Sequence, residues 1–292
     1  MYRKMLLYIT MALLISQNLQ AEQINCFGKK VNSTFEQDGK VYLVVNNDTI
    51  RTLFLHEDFT SICTSNVTNM GGLFQNRGTF NEDIRNWDVS HVKNMKDMFD
   101  HAYLFNQNIG DWNVSNVTYM AGMFRNAEHF NQNINNWDVS NVRNMVYMFK
   151  HAKSFNQPLN NWNVSRLVSM SSLFSGTKRF NQPLDNWDVS NIKDMRWMFN
   201  NALAFNQPLN NWNVSNVAEM ELLFNNAQSF NQPLNNWDVS NVKNMEMMFN
   251  KTKSFNQDLS SWEISSFIPT KPKYFNTSNK VWKKPKPNFS TK

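Results

Sequence analysis

Side chains with the chemistry for catalysis or metal binding are sparse in this 292-residue chain and poorly grouped. Its five histidines stand at 56, 91, 101, 129 and 151. His101 and His151 share the register of a 25-residue period, two periods apart. At strand spacing they lie about 10 Å from each other, too far to share a metal ion. No Gly-rich phosphate loop is present, and no Ser, His and acid set stands out. A serine recurs at 90, 115, 140, 165, 190, 215, 240 and 265, a regularity that helix capping explains better than nucleophilic attack. The residue after each Trp alternates, as Asp88, Asn113, Asp138, Asn163, Asp188, Asn213, Asp238 and then Glu263. Carboxylates stacked at strand spacing repel one another. Interposed asparagines double their separation to about 10 Å, roughly a Debye length at 0.1 M salt. A solubilising strand face follows, with a weak cation- or polar-ligand ladder as the sharper alternative. No catalytic residue, metal site or cofactor is expected.

The elements that position these residues come from the period itself. Phe recurs at 80, 105, 130, 155, 180, 205, 230 and 255. Trp keeps the same interval from 87 to 262, Met from 70 to 245 and a second Phe from 74 to 249, without an insertion. In the unit 80–104, Ile84, Trp87 and Val89 have the short alternation of a strand with one buried face. Val92, Met95, Met98, Phe99 and Ala102 follow at spacings of three and four, the pattern of a helical face with Ser90 at its N-cap. The expectation is an α/β repeat solenoid, leucine-rich-repeat-like, with one short strand and one short helix per coil. Such a coil cannot fold alone and is stabilised by its neighbours. Asn81 and its equivalents, always after the opening Phe, are placed to bond from coil to coil, and the methionines read as core.

Both ends depart from the period. Residues 1–21 read as a secretory signal: Arg3 and Lys4 precede an apolar run, Met5 to Ile15, that is too short to span a bilayer comfortably. An uncleaved anchor is the alternative. Residues 22–61 read as an N-terminal cap, with Lys40–Ile50 suggesting two strands around an Asn-Asn-Asp turn. The array proper runs over 62–269, with Ile62 at the Trp position of a degenerate first coil. In the decaying last coil Thr270 takes the Met position and Tyr274 the Phe position. Cys26 and Cys63 are the only cysteines; after export they pair most simply as one disulfide tying the cap to the first coil, free buried thiols being the alternative.

The net charge of +6 is unevenly distributed. Seven lysines and no acid fall within 270–292, a basic tail expected to be flexible. It is simply solvated, or it touches an anionic envelope surface. Without that tail and the signal, 20 Lys and Arg face 23 Asp and Glu. The folded body is thus mildly acidic, and nucleic acid is not an expected partner.

Runs such as Phe155-Asn-Gln-Pro-Leu-Asn-Asn-Trp-Asn-Val-Ser and Asn241-Val-Lys-Asn-Met-Glu-Met-Met-Phe resemble the BspA-type leucine-rich-repeat surface proteins. More closely, they resemble the 25-residue variant of bacterial surface proteins and lipoproteins. The resemblance covers about residues 60–275 and implies a leucine-rich-repeat-like solenoid with an adhesive or partner-binding role at the surface. It brings no catalytic residues. The chain departs from the pattern in lacking a convincing lipoprotein cysteine or wall-sorting signal.

Binding specificity belongs where the repeats differ. On the expected helix, the register of Asp97 reads Asp97, Gly122, Tyr147, Ser172, Trp197, Leu222 and Met247. Tyr147, Trp197, Leu222 and Met247 are the candidate ligand-binding residues, with Tyr119 extending the patch, because an exposed apolar stripe marks an interaction surface. A rotated or irregular helix would instead pack them locally. The expected function is that of a secreted or cell-surface protein binding an extracellular protein or glycan. The alternative is a structural envelope component that self-associates through its edges.

Overall fold

The computed structural model describes residues 23–53, 58–268 and 270–289. The signal-like segment 1–21, His56 and Pro269 lie outside them. The N-terminal cap is a small sheet in the order β1 (Thr34–Gln37), β2 (Lys40–Asn46), β3 (Ile62–Asn66). β1 and β2 are antiparallel, joined by Asp38 and Gly39, both left-handed at φ 52° and 74°. Asp-Gly is the pair that a tight hairpin of this kind favours. The turn expected at Asn-Asn-Asp lies elsewhere. There Asn46 Oδ1 accepts from the amides of Asp48 and Thr49 and opens a short helix, α1 (Thr49–Thr52). β2 then runs parallel to β3, the first edge of the repeat array. Cys26 and Cys63 are bonded, so the cap is tied to the first coil.

The array corrects the expected helix. In the described coils, the arc over residues 94–102 and its equivalents is a chain of overlapping turns. Alternate amides point in two directions. Those of Met98, Asp100 and Ala102 donate three residues back, to the carbonyls of Met95, Asp97 and Phe99 at 3.0–3.2 Å. Those of Met95, Asp97, Phe99 and His101 donate into the next coil, to the carbonyls of Tyr119, Ala121, Met123 and Arg125 at 2.8–2.9 Å. Isolated parallel bridges such as Asn94↔Tyr119 and Asp194↔Glu219 mark the same ladder. Two residues per coil pass through left-handed φ, at the registers of Asp97 (φ 54°) and His101 (φ 60°), which no α-helix tolerates. The three-and-four spacing of Val92, Met95, Met98 and Phe99 suits both geometries. The turn chain wins because it frees half its amides for the neighbouring coil.

The expected strand around Trp87 is also replaced by turns, as in Trp87 N–H donating to Ile84 O at 3.1 Å. Proline at 158, 183, 208 and 233 lacks the amide that a ladder there would need. Side chains bridge the coils instead. Each indole N–H, from Trp87 to Trp262, donates to a carbonyl of the preceding coil at 2.8–3.3 Å, for example Trp162 to Ile134 O at 3.0 Å. Asn81 Oδ1 accepts the amide of Asn106, Asn106 that of Asn131, and so on to Asn231 and Asn256.

Two columns of Phe fill the core. Rings 74 to 249 repeat at 5.6–5.8 Å between centroids and rings 80 to 255 at 5.9–6.1 Å, nearly parallel throughout. Both columns end edge-on. Phe59 meets Phe74 and Phe80 at 77° and 90°, and Trp282 meets Phe249 and Phe255 at 74° and 87°. Edge-to-face contact is favourable and presents no parallel face on which another ring could stack.

Over 270–289 the basic tail, expected to be flexible, is a folded closing coil. Phe275 and Trp282 are buried, and Trp282 Nε1 donates to Gln257 O at 2.9 Å. The amides of Lys283 and Lys284 end the asparagine ladder on Asn256 Oδ1 at 2.7 and 3.0 Å.

Replacing Trp162 by Phe keeps a buried ring but removes the indole donor together with part of the ring volume. The Ile134 carbonyl keeps the Trp137 amide and loses the indole, about 0.5–1.5 kcal/mol for the hydrogen bond, to which the cavity adds. Thermal denaturation of the full chain should show a melting temperature lower by several degrees, with an unchanged circular dichroism spectrum. An unchanged melting temperature would remove the indole ladder from the account of stability.

The variable face as candidate functional site

The Trp-x-Val-Ser segment is built by its own side chains. Asp88 Oδ1 accepts both the amide of Ser90 at 3.0 Å and its hydroxyl at 2.6 Å. Asn113, Asn163 and Asn213 accept the same pair from Ser115, Ser165 and Ser215. The serines therefore act as donors to a turn, not as helix caps. Asp and Asn alternate freely because either supplies the one acceptor oxygen required. Hydrogen bonds from Ser140, Ser190 and Ser240 hold the carboxyls of Asp138, Asp188 and Asp238 below the usual carboxylate range.

Sequence variation concentrates on the turn ladder. At the register of His101 the left-handed residues are Asn76, His101, Asn126, His151, Gly176, Asn201 and Asn226, then Lys251 and Ser278. Asn, His and Gly enter this conformation most readily. The register of Asp97 starts the same way, with Gly72, Asp97 and Gly122, and then changes character: Tyr147, Ser172, Trp197, Leu222, Met247. The structure therefore brings all four candidate residues into one column. Tyr147 and Trp197 are 37% and 38% exposed, and Met247 is half-buried. Leu222, expected at the surface, is only 8% exposed, and buried Ser172 separates Tyr147 from the others. Tyr119 stands on the neighbouring bridge register and is exposed.

The column has one more member, which sequence reasoning places elsewhere. The ladder resumes in the closing coil with Met247 donating to Lys273 O, Phe249 to Phe275 O and Lys251 to Thr277 O, an offset of 26. Two extra residues thus put Tyr274 at the register of Met247, not of the Phe, and its φ of 52° fits that place. Its side chain is exposed. A signal exists in the sequence: Tyr274 and Ser278 keep the four-residue spacing of the two left-handed positions.

Charged groups differ along this face. Near its N-terminal end Asp100 is buried and takes Arg125 on both oxygens at 2.9 and 2.6 Å, with Gln75 Nε2 at 3.0 Å. Burial alone would raise its pKa, but Arg125 and Gln75 outweigh it and the net direction is down. Asp97, 3.4 Å from the same guanidinium, goes up: burial dominates, opposed by Arg125 and reinforced by Asp100. His151 is pushed down by burial, helped by Lys150 and Lys153 and opposed by Glu128. Further along, Asp194 binds Arg196 at 2.9–3.0 Å, beside Trp197 in sequence. Among the described residues no three His, Cys, Asp or Glu side chains stand close enough to hold a metal ion.

Residues 45–153, 112–192, 132–226 and 169–286 each match one family, described as Mycoplasma protein of unknown function, DUF285. The chain belongs to the DUF285 family. The four overlapping matches cover the turn ladder, the closing coil and the last part of the N-terminal cap, in keeping with a repeat architecture. No curated protein and no solved structure matches this DUF285 chain.

Gly122 has φ 62°, and a Cβ there would meet Asp97 Oδ1. Gly122→Ala should cost about 1–2 kcal/mol from the left-handed backbone and displace Asp97 from Arg125, read as a lower midpoint in urea. Because its folded pKa is depressed, Asp100 contributes stability above its ordinary value of 3.8, and that contribution disappears as pH falls below it. Asp100→Asn should therefore destabilise the protein at neutral pH and leave a smaller loss of stability on going to about pH 3 than the wild type shows. Parallel acid limbs for the two proteins would show that the Arg125 pair contributes nothing.

Proposed function

We propose that this chain is an exported binding protein: a leucine-rich-repeat-like solenoid of the BspA kind that presents its variable turn face to an extracellular protein or glycan. The observation that carries the reading is the contrast between the two left-handed columns. One keeps almost wholly to the low-strain residues Asn, His and Gly. The other, beyond Gly122, holds Tyr147, Trp197, Leu222, Met247 and Tyr274 in the same backbone conformation. A non-Gly residue there costs on the order of 1–2 kcal/mol. Gly72 and Gly122 mark the cheaper solution at the same register. Bulky apolar side chains kept at a strained, partly exposed position are what a binding surface would require.

The disulfide and the signal-like segment 1–21 support an extracytoplasmic setting. The edge-on rings at both ends of the Phe columns weigh against self-association by end-to-end stacking.

The test separates strain from packing. Trp197→Asn and Met247→Asn, made together, should leave the melting temperature unchanged or raise it, because left-handed strain is relieved. The same variant should lose binding to whichever purified extracellular matrix protein or arrayed glycan the wild type captures. A melting temperature lowered by many degrees would make these side chains core packing and sink the reading. So would full retention of binding.

A further inference from the structure

The closing coil carries a surface of a different kind. Six lysines, at 271, 273, 280, 283, 284 and 286, lie within its described residues, and no Asp or Glu follows Glu263. Folding holds this charge at one end of the stack rather than on a loose tether. The backbone of Lys273 is in the ladder, those of Lys283 and Lys284 are pinned to Asn256, and Lys286 lies over the buried Trp282 ring at 5.4 Å. Three apolar side chains of the same stretch of chain stand exposed: Phe267 at 63%, Tyr274 at 57% and Val281 at 47%. Lys243 Nζ sits 5.1 Å above the Phe267 ring and adds a seventh cation. Elsewhere, outside the signal-like segment, the body has an acidic excess, 23 acids against 19 Lys and Arg.

We propose that this coil is a docking surface for an anionic lipid bilayer. Its lysines face the lipid phosphates while Phe267, Tyr274 and Val281 enter the headgroup boundary. Charge complementarity selects the occupant, and the exposed apolar groups favour a membrane over a soluble polyanion. Electrostatic attraction combined with apolar insertion is how a protein surface binds a membrane without crossing it. No helix among the described residues is long and apolar enough to cross one. The acidic excess of the body would be repelled by the same surface, so the stack would stand away from it.

The experiment is sedimentation of the full chain with phosphatidylcholine vesicles, with and without phosphatidylglycerol, and with soluble heparin as a competing polyanion. Binding should require the anionic lipid. Lys271→Glu, Lys273→Glu and Lys280→Glu together should weaken it on the order of 100-fold or more, since each lysine near such a surface contributes about 1 kcal/mol. Phe267→Ser with Val281→Ser should leave a weaker, salt-labile association. Both variants are checked by an unchanged melting temperature. Binding to heparin with none to vesicles would assign the site to a soluble polyanion, and equal binding to neutral vesicles or by the triple glutamate variant would overturn the charge argument. The Trp197→Asn, Met247→Asn protein should bind vesicles as the wild type does, so failure of the ligand-binding stripe and failure of this site are separable.

Discussion

A coil of this chain cannot complete its own hydrogen bonds, and nearly everything else follows from that. At four positions of the turn ladder the amide points out of its own coil and finds its acceptor carbonyl in the next one, as Met95 finds Tyr119 and Phe99 finds Met123. A residue inserted within that arc would take the pairs beyond it out of register and leave buried polar groups unpaired. The absence of insertions within the arc is therefore a requirement of the backbone rather than an ornament of the sequence. The closing coil shows the rule by its exception. Its two extra residues fall before the arc resumes at Lys273, and the ladder bonds form intact at an offset of 26.

Identical side chains in register then do what the backbone cannot do on the proline-bearing arc. Stacked amides repeat the same bond indefinitely: each Asn Oδ1 takes the next asparagine's amide, until Asn256 finds Lys283 and Lys284 instead. Indole donors reach back to carbonyls of the preceding coil that have no ladder partner. Stacked Phe rings follow from equal spacing as much as they enforce it. A column of this sort has no natural end. The caps matter for that reason, and Phe59 and Trp282 close the columns by turning their rings about perpendicular to the stack.

Sequence periodicity is sufficient to identify the core, and the presence of just two cysteines the Cys26–Cys63 pair. Periodicity is insufficient to choose the backbone. Val92, Met95, Met98 and Phe99 lie at spacings that one face of a helix and a chain of turns satisfy equally, and single-coil reasoning favours the helix. The sign against a helix lies one register away, in the run Asn76, His101, Asn126, His151, Gly176, Asn201, Asn226. Those residues share an ease with left-handed φ and little else. The hairpin turn is ambiguous for a related reason. Asn46-Asn47-Asp48 and Asp38-Gly39 are both good turn sequences, and only the pairing of β2 with β3 decides between them. Tyr274 is hidden by the two-residue slip of the closing coil.

The variable column survives the loss of the helix that suggested it, which changes what it means. On a helix, residues at the register of Trp197 would be exposed by geometry alone, and their identity would be under little restraint. On the turn ladder the same register is strained for every residue except Gly, and mildly so for Asn or Asp. Neutral drift at such a position runs toward Gly and Asn, as the neighbouring column illustrates. Tyr, Trp, Leu and Met in four of the six coils from Tyr147 to Tyr274, with a second Tyr closing the series, run against that drift. Packing explains Leu222, which is largely buried, but it explains Trp197 and Tyr274 poorly because much of their surface faces solvent. An array whose every other position is fixed by register has few places in which to store specificity. This column, whose side chains leave the stack without breaking it, is the place where substitution is free to change a surface while the ladder underneath stays the same.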